Sequence, residues 1–184
     1  MKKIIEPKEP TITMFPYPVY LIACEHGDRK NITPVGWVSP VCNVPPLFGV
    51  SLRPGRYSYE IIRKVKKFSL NVPTEKILEE SDFCGTFSGK EINKLEKTGL
   101  RFEYSSKNSP PIIEQCPVNI EFVLKKIINY GNHKHFVGEV QKILIDENLV
   151  DYKDFNQFFV AIGTRYYGLK EIGKCQDVYK KKFN

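Results

Sequence analysis

The sequence predicts a mainly β fold with short helices, an antiparallel barrel carrying helical insertions. Three observations carry that expectation. Two long strand-like runs, VNIEFVLKKIINY (118–130) and HKHFVGEVQKILI (133–145), flank Gly131–Asn132, a two-residue hairpin connection. The other strand-like runs are interrupted by short helical patterns, with no regular succession of strand and helix to support a doubly wound parallel sheet. Aromatic residues make up 12% of the chain, mostly Tyr and Phe, which leans toward β structure or an aromatic-lined site.

Taken in order, YPVYLIACE (17–25) reads as a strand and HGDRKN as a turn. ITPVGWVS (32–39) is extended, but Pro34 and Gly36 are expected to keep it from being a regular strand. PPLFGVSL (45–52) reads as a buried strand, followed by a turn at Pro54–Gly55. SYEIIRKVKKF (58–68) predicts a helix capped by Ser58, with Glu60 in its first turn and Lys66 and Lys67 in its last. Ile61, Ile62, Val65 and Phe68 form its apolar stripe. FSLNV (68–72) is the next strand, and TEKILEES (74–81) a short helix capped by Thr74. SGKEINKLEKTG (88–99) predicts another helix, with Ser88 and Glu91 as a capping box and Gly99 as its stop. LRFEYS (100–105) and FFVAIG (158–163) complete the strands around the long hairpin.

At 184 residues and 41% hydrophobic content, the chain suits one domain, residues 1–184, with its core at about 15–170. The five cysteines form no CxxC pair, so a zinc ribbon or thioredoxin motif is unsupported. An odd count with no apolar stretch after Lys2 and Lys3 suggests free thiols in a reducing cytoplasm. The longest apolar runs are too short to cross a bilayer, so a cytoplasmic protein with no membrane partner is expected. The net charge of +7 comes from lysines spread along helices and the tail. No basic stripe with interleaved aromatics accompanies it, and no nucleic-acid role is expected.

No G-x-G-x-x-G occurs. CGTFSGKE resembles a P-loop only superficially: Cys84 stands where its first glycine should be, and Glu91 where Ser or Thr should hold magnesium. A triphosphatase is therefore disfavoured. The SGK helix start, with Lys90 and Lys94 on one face, reads on its own as a solvated helix end. SLRPGRYS (51–58) is more suggestive, because two guanidiniums, a hydroxyl and a helix start converge on what a phosphate monoester needs. His133 and His135 lie two apart on a strand and point the same way. No second ligand cluster joins them, so no metal is expected; one of them reads as a surface histidine at the hairpin turn, with His133 placed to reach a ligand.

NITPVGWVSP, VSLRPGRYSYEII, FSLNVP, FCGTFSGKEINKLEKTGL, CPVNIEFVLKK and HKHFVGEV occur in that order. Together they resemble the flavin reductase-like family, most closely its flavoredoxin branch, over roughly residues 15 to 170. The resemblance implies a split β-barrel of Greek-key type, assembled as a homodimer, with one FMN held non-covalently per protomer. It implies FMN contacts at Asn31, Thr33 and Trp37 of the N-x-T-x-x-x-W segment and at Ser58 at the first helix. It also implies Lys94, with Lys90 beside it, then His133, and Tyr166 as a late aromatic. Ser51 and Arg53 join them from their place beside the phosphate turn. Trp37 would then pack near the isoalloxazine or its rim. The implied function is an oxidoreductase that takes a hydride from NAD(P)H onto FMN and passes electrons to an acceptor. The alternative is a flavoredoxin-type electron carrier that does not itself oxidise NAD(P)H and meets a redox protein partner. No side chain need act as nucleophile; His133 is the one candidate for a catalytic role.

Overall fold

A computed structural model describes residues 2, 4–5, 15–149 and 157–170. Its strands are β1 Tyr17–Pro18, β2 Tyr20–His26, β3 Arg29–Val35, β4 Val38–Cys42, β5 Leu47–Leu52 and β6 Lys67–Val72. β7 Phe102–Glu103 and β8 Ile112–Ile113 follow, then β9 Val118–Tyr130, β10 His133–Ile145, β11 Phe159–Ile162 and β12 Arg165–Gly168. The helices are α1 Tyr57–Val65, α2 Leu78–Thr86 and α3 Lys94–Thr98.

Seven strands form one antiparallel sheet in the order β3-β2-β6-β9-β10-β5-β4. Its two edges, β3 and β4, are consecutive in the chain and joined only by Gly36–Trp37. If the sheet were flat, six inter-strand spacings would hold those edges about 29 Å apart. The three Cα steps from Val35 to Val38 span at most about 11 Å. The sheet must therefore curl until its edges meet, yet β3 and β4 do not pair with each other. This is a mainly β split barrel, parted at the Gly36–Trp37 link.

β2 explains the uninterrupted apolar run at its centre. Ile22 and Cys24 point into a core shared with Val50, Leu70, Phe122 and Phe136, which Ile61 and Ile62 of α1 cover. Leu21 and Ala23, on the opposite face, enter a second core with Ile32, Cys84, Leu100 and Ile113, beneath α2 and α3. A strand buried on both faces has no polar face to alternate with. The long hairpin forms as the sequence predicts, with Tyr130 paired to His133 across the turn. β1, β11 and β12 make a separate three-stranded sheet.

Several local expectations are corrected. Pro34 lies within β3 and pairs with Leu21; an edge strand tolerates a residue with no N–H to donate. The break falls instead at Gly36–Trp37. α1 stops at Val65 because Lys66 takes the left-handed conformation (φ 61°) and its N–H donates to Ile62 O at 2.8 Å. Phe68 therefore belongs to β6, buried in the core its helical spacing had suggested. The cap residue of α1 is Arg56, with no side-chain cap bond, and Ser58 lies within the first turn with its hydroxyl turned toward β3. Thr74 forms no side-chain cap, and α2 continues well past residue 81 after a 3₁₀ turn at Glu75–Ile77.

The capping box at Ser88 and Glu91 does not form. Residues 88–92 are a turn in which the N–H groups of Glu91 and Ile92 both donate to Ser88 O at 3.1 Å. α3 starts only at Lys94, where Asn93 Oδ1 accepts from Glu96 N, and it ends at Gly99 as expected. In the 100–105 run, only Phe102–Glu103 pairs.

Candidate functional site

A groove of about 300 Å³ opens along the barrel's seam. β3 supplies Asn31 and Thr33, the link supplies Trp37, and the end of β5 supplies Ser51 and Arg53. Arg56 and Tyr57 enter from the start of α1, Cys84 and Gly85 from α2, and Phe87, Ser88 and Gly89 from the turn that follows.

Asn31 and Thr33 are two apart on β3, so their side chains share a face. Ser58 reaches them from α1. Asn31 Nδ2 donates to Ser58 Oγ at 2.9 Å and to Thr33 Oγ1 at 3.0 Å, and the two hydroxyls hydrogen-bond to each other across 2.8 Å. Asn31 is 2% exposed, yet its Oδ1 has no hydrogen-bond partner among the described residues. An unpaired buried acceptor costs roughly 1–3 kcal/mol unless a bound donor meets it. Gly89 packs against this oxygen: a Cβ there would lie 2.1 Å from Oδ1 and 3.0 Å from the Tyr57 ring.

Lys94 is 5% exposed. Its Nζ donates to Ile32 O at 2.8 Å and Cys84 O at 2.6 Å, tying β3 to α2. An ammonium has three donors, so one remains for the groove it lines. Burial holds its pKa below the ordinary lysine value, and the nearby Arg56 charge acts in the same direction. The Arg53–Arg56 turn, closed by a 3.3 Å bond from Arg56 N to Arg53 O, adds two arginines to the groove's lining. The first amides of the nine-residue α1 lack intrahelical acceptors.

The other wall is aromatic. The Trp37 and His133 rings lie 4.6 Å apart, tilted by 36°. Ser51 N donates to Trp37 O at 3.0 Å, which fixes the indole's backbone beside β5. Cys84 lines the groove, but burial pushes its thiol up to about 11, so it stays protonated at neutral pH and is no nucleophile. Among the described residues no group of three His, Cys, Asp or Glu could hold a metal, and no helix is long and apolar enough to cross a membrane.

Of the residues singled out in the sequence, Asn31, Thr33, Trp37, Ser51, Arg53, Lys94 and His133 line this groove. Ser58 lies just beneath it, fully buried. Lys90 lies instead in the neighbouring cleft, ion-paired with Glu60 at 2.5 Å. Tyr166 on β12 lines a third depression with Phe83 and Phe87, its hydroxyl donating to Asp82 Oδ1 at 2.8 Å. Phe87, Gly89 and the Cys84–Gly85 end of α2 were not anticipated. Their one signal was the glycine pair around CGTFSG, which looked like a defective phosphate loop.

Cationic donors (Arg53, Arg56 and Lys94) and the flat rings of Trp37 and His133 line one groove. Such a site suits a planar ligand with an anionic tail. Residues 12–160 match the model of the flavin reductase like domain. An uncharacterised protein of Archaeoglobus fulgidus is 33% identical over 148 residues, which cover 80% of this chain and 83% of its own. The flavoredoxin of Desulfovibrio vulgaris superposes with a TM-score of 0.84 at 26% identity, covering 96% of this chain and 98% of that one. An FMN-binding protein from Thermus thermophilus shares the fold, with a TM-score of 0.82 at 23% identity over 95% of this chain and 98% of its own.

Proposed function

Because the chain belongs to the flavin reductase like family, we propose that it is an FMN-binding oxidoreductase that takes a hydride from NAD(P)H and passes electrons to an acceptor. One observation carries this reading. The cationic side chains of Arg53, Arg56 and Lys94 and the Trp37–His133 pair line a single groove at the barrel's seam.

The residues present fit the group. The buried Asn31 Oδ1 calls for a ligand N–H, and the flavin ring carries one on its pyrimidine edge. The guanidiniums suit a phosphate monoester. A groove of about 300 Å³ is at the lower end of ligand clefts, which run from about 300 to 1,000 Å³. When bound, FMN would supply hydride acceptance and onward electron transfer. The protein's own part is binding and electrostatics. Lys94 would favour negative charge on a bound ring, since an ammonium in a water-poor site acts strongly on a neighbour. Trp37 would shield one side from water. His133 would orient an incoming nicotinamide.

The second reading is a flavoredoxin-type electron carrier that does not oxidise NAD(P)H itself. The likeness to the Desulfovibrio flavoredoxin supports it, and so does a net charge of +7, which would attract an acidic redox protein. In either case we propose a cytoplasmic homodimer. Exposed apolar side chains such as Val44, Tyr130 and Ile143 would be suited to cover by a second copy.

The purified protein should be yellow, with flavin absorbance that persists through gel filtration. Under anaerobic conditions, bleaching by NADH or NADPH supports the enzyme; a bound flavin that neither donor bleaches supports the carrier. A colourless protein that takes up no added FMN overturns both.

A further inference from the structure

We propose that His135, set behind the groove wall, acts through Ser51 as a positioning residue. Its charge decides whether the Ser51 hydroxyl offers the groove a proton or a lone pair. Retention of a phosphorylated ligand thereby becomes pH-dependent. The proposal rests on the flavin reading above.

The contact is built into the sheet. Ser51 on β5 and His135 on β10 are directly opposite each other in the antiparallel register. Ser51 Oγ and His135 Nδ1 lie 2.9 Å apart. The ring is held on its other side as well. Its Nε2 lies over Gly49, where a Cβ would approach it to 2.1 Å, and Val41 Cγ2 would be 3.1 Å from the same point. The Tyr130 ring packs edge-on at 6.0 Å. Glycine at 49 is what lets the imidazole lie flat against the strand.

A serine hydroxyl has a single proton. With Nδ1 unprotonated, that proton goes to the imidazole, and Ser51 turns lone pairs toward the groove, which repel an anion. With the ring protonated, Nδ1–H donates to Oγ instead. The hydroxyl proton is then released to the ligand, and a positive charge stands behind it. Arg53, two residues further on, lines the same groove. The imidazole's titratable and charged neighbours come from each packed strand. β5 brings Arg53 just beyond its end, and β9 brings Tyr130 and Lys126, with the apolar Ile128 directly opposite. β10 brings His133, two residues before, and β4 brings the apolar Val41.

The test compares FMN with riboflavin, which lacks the phosphate. Dissociation constants for both are measured by flavin fluorescence from about pH 5 to 8, where imidazoles change charge. The proteins are wild type, His135→Gln and Ser51→Ala. FMN's own second phosphate ionisation, near pH 6, affects all three alike and cancels in the ratio of wild type to variant. In wild type, the preference for FMN over riboflavin should fall about two- to tenfold as pH rises, relative to His135→Gln. Ser51→Ala should flatten the curve in the same way, which keeps the test intact if the histidine variant folds poorly. Parallel curves for wild type and either folded variant overturn the relay while leaving flavin binding in place. So does an absence of any preference for FMN at every pH. Failure of both flavins to bind wild type overturns the flavin reading and the relay together.

Discussion

Asn31 of β3 and Ser58 of α1, 27 positions apart in the chain, are joined by a 2.9 Å hydrogen bond, while the buried amide oxygen of Asn31 has no partner among the described residues. The helix thus holds the amide in place from behind. Replacing Ser58 by Ala removes an acceptor from a fully buried donor. We expect a loss of about 1–2 kcal/mol in urea unfolding, together with weaker FMN retention. Unchanged retention would mean that Asn31 does not need this support.

Trp37→Ala should release FMN more readily than Trp37→Phe, because a ring-to-ring contact contributes about 0.5–1.5 kcal/mol beyond the area it buries. The flavin absorbance left after gel filtration measures it. Equal losses from both variants would rule out stacking as the indole's contribution.

Gly89→Ala places a methyl group 2.1 Å from Asn31 Oδ1. The turn must then move away from β3, which overpacking data put at about 1–3 kcal/mol. FMN affinity should drop at least tenfold. A variant with wild-type affinity would show that the turn yields freely and that its approach to Asn31 is incidental.

Lys90 and Lys94 should behave differently although they lie one helical turn apart in sequence. Lys90→Ala breaks an exposed pair with Glu60, worth at most about 1 kcal/mol, and should leave FMN binding unchanged. Lys94→Met strips two backbone carbonyls of a shared donor and the groove of a cation. It should weaken FMN binding while riboflavin and FMN are affected alike if the ammonium faces the ring.

Stability should fall on the alkaline side. Burial raises the thiols of Cys24 to about 12 and Cys84 to about 11, from an ordinary 9.0, against a smaller opposing pull from the Lys94 charge. A raised folded-state value means that the contribution is fully present below pH 9 and lost as the pH climbs toward 11–12. Lys94, lowered by burial, works in the opposite sense, its strain easing as the pH rises toward 10.5. With Cys116 also raised, the thiols outnumber it. The urea midpoint should therefore decline above pH 9, less steeply in Cys84→Ala. An unchanged slope in that variant would rule out this thiol as a contributor.

The long hairpin was legible because its period and its Gly-Asn turn agree over 28 residues, 118–145. Helix limits were less so. Phe68 continues the helical spacing of Ile61 and Val65, and no sequence period distinguishes a last helical turn from a strand that enters the same core. Ser88 and Glu91 carried the capping spacing, but Asn93 competes for the cap and wins. Within the site, residues on β3 and β5 could be found from motif order. The turn at Phe87–Gly89 was obscured because its role depends on packing against Asn31, a contact 58 residues away in sequence. The His135–Ser51 contact was hidden for a similar reason: its register is fixed only once β10 and β5 pair.

The two-residue joint at Gly36–Trp37 acts as a clasp on a belt. How widely the mouth beside it can open is fixed by main-chain length, whatever side chains stand around it. Lengthening the clasp by a single residue would slacken the hoop and enlarge the aperture without altering one strand, and so change which molecules can reach the interior.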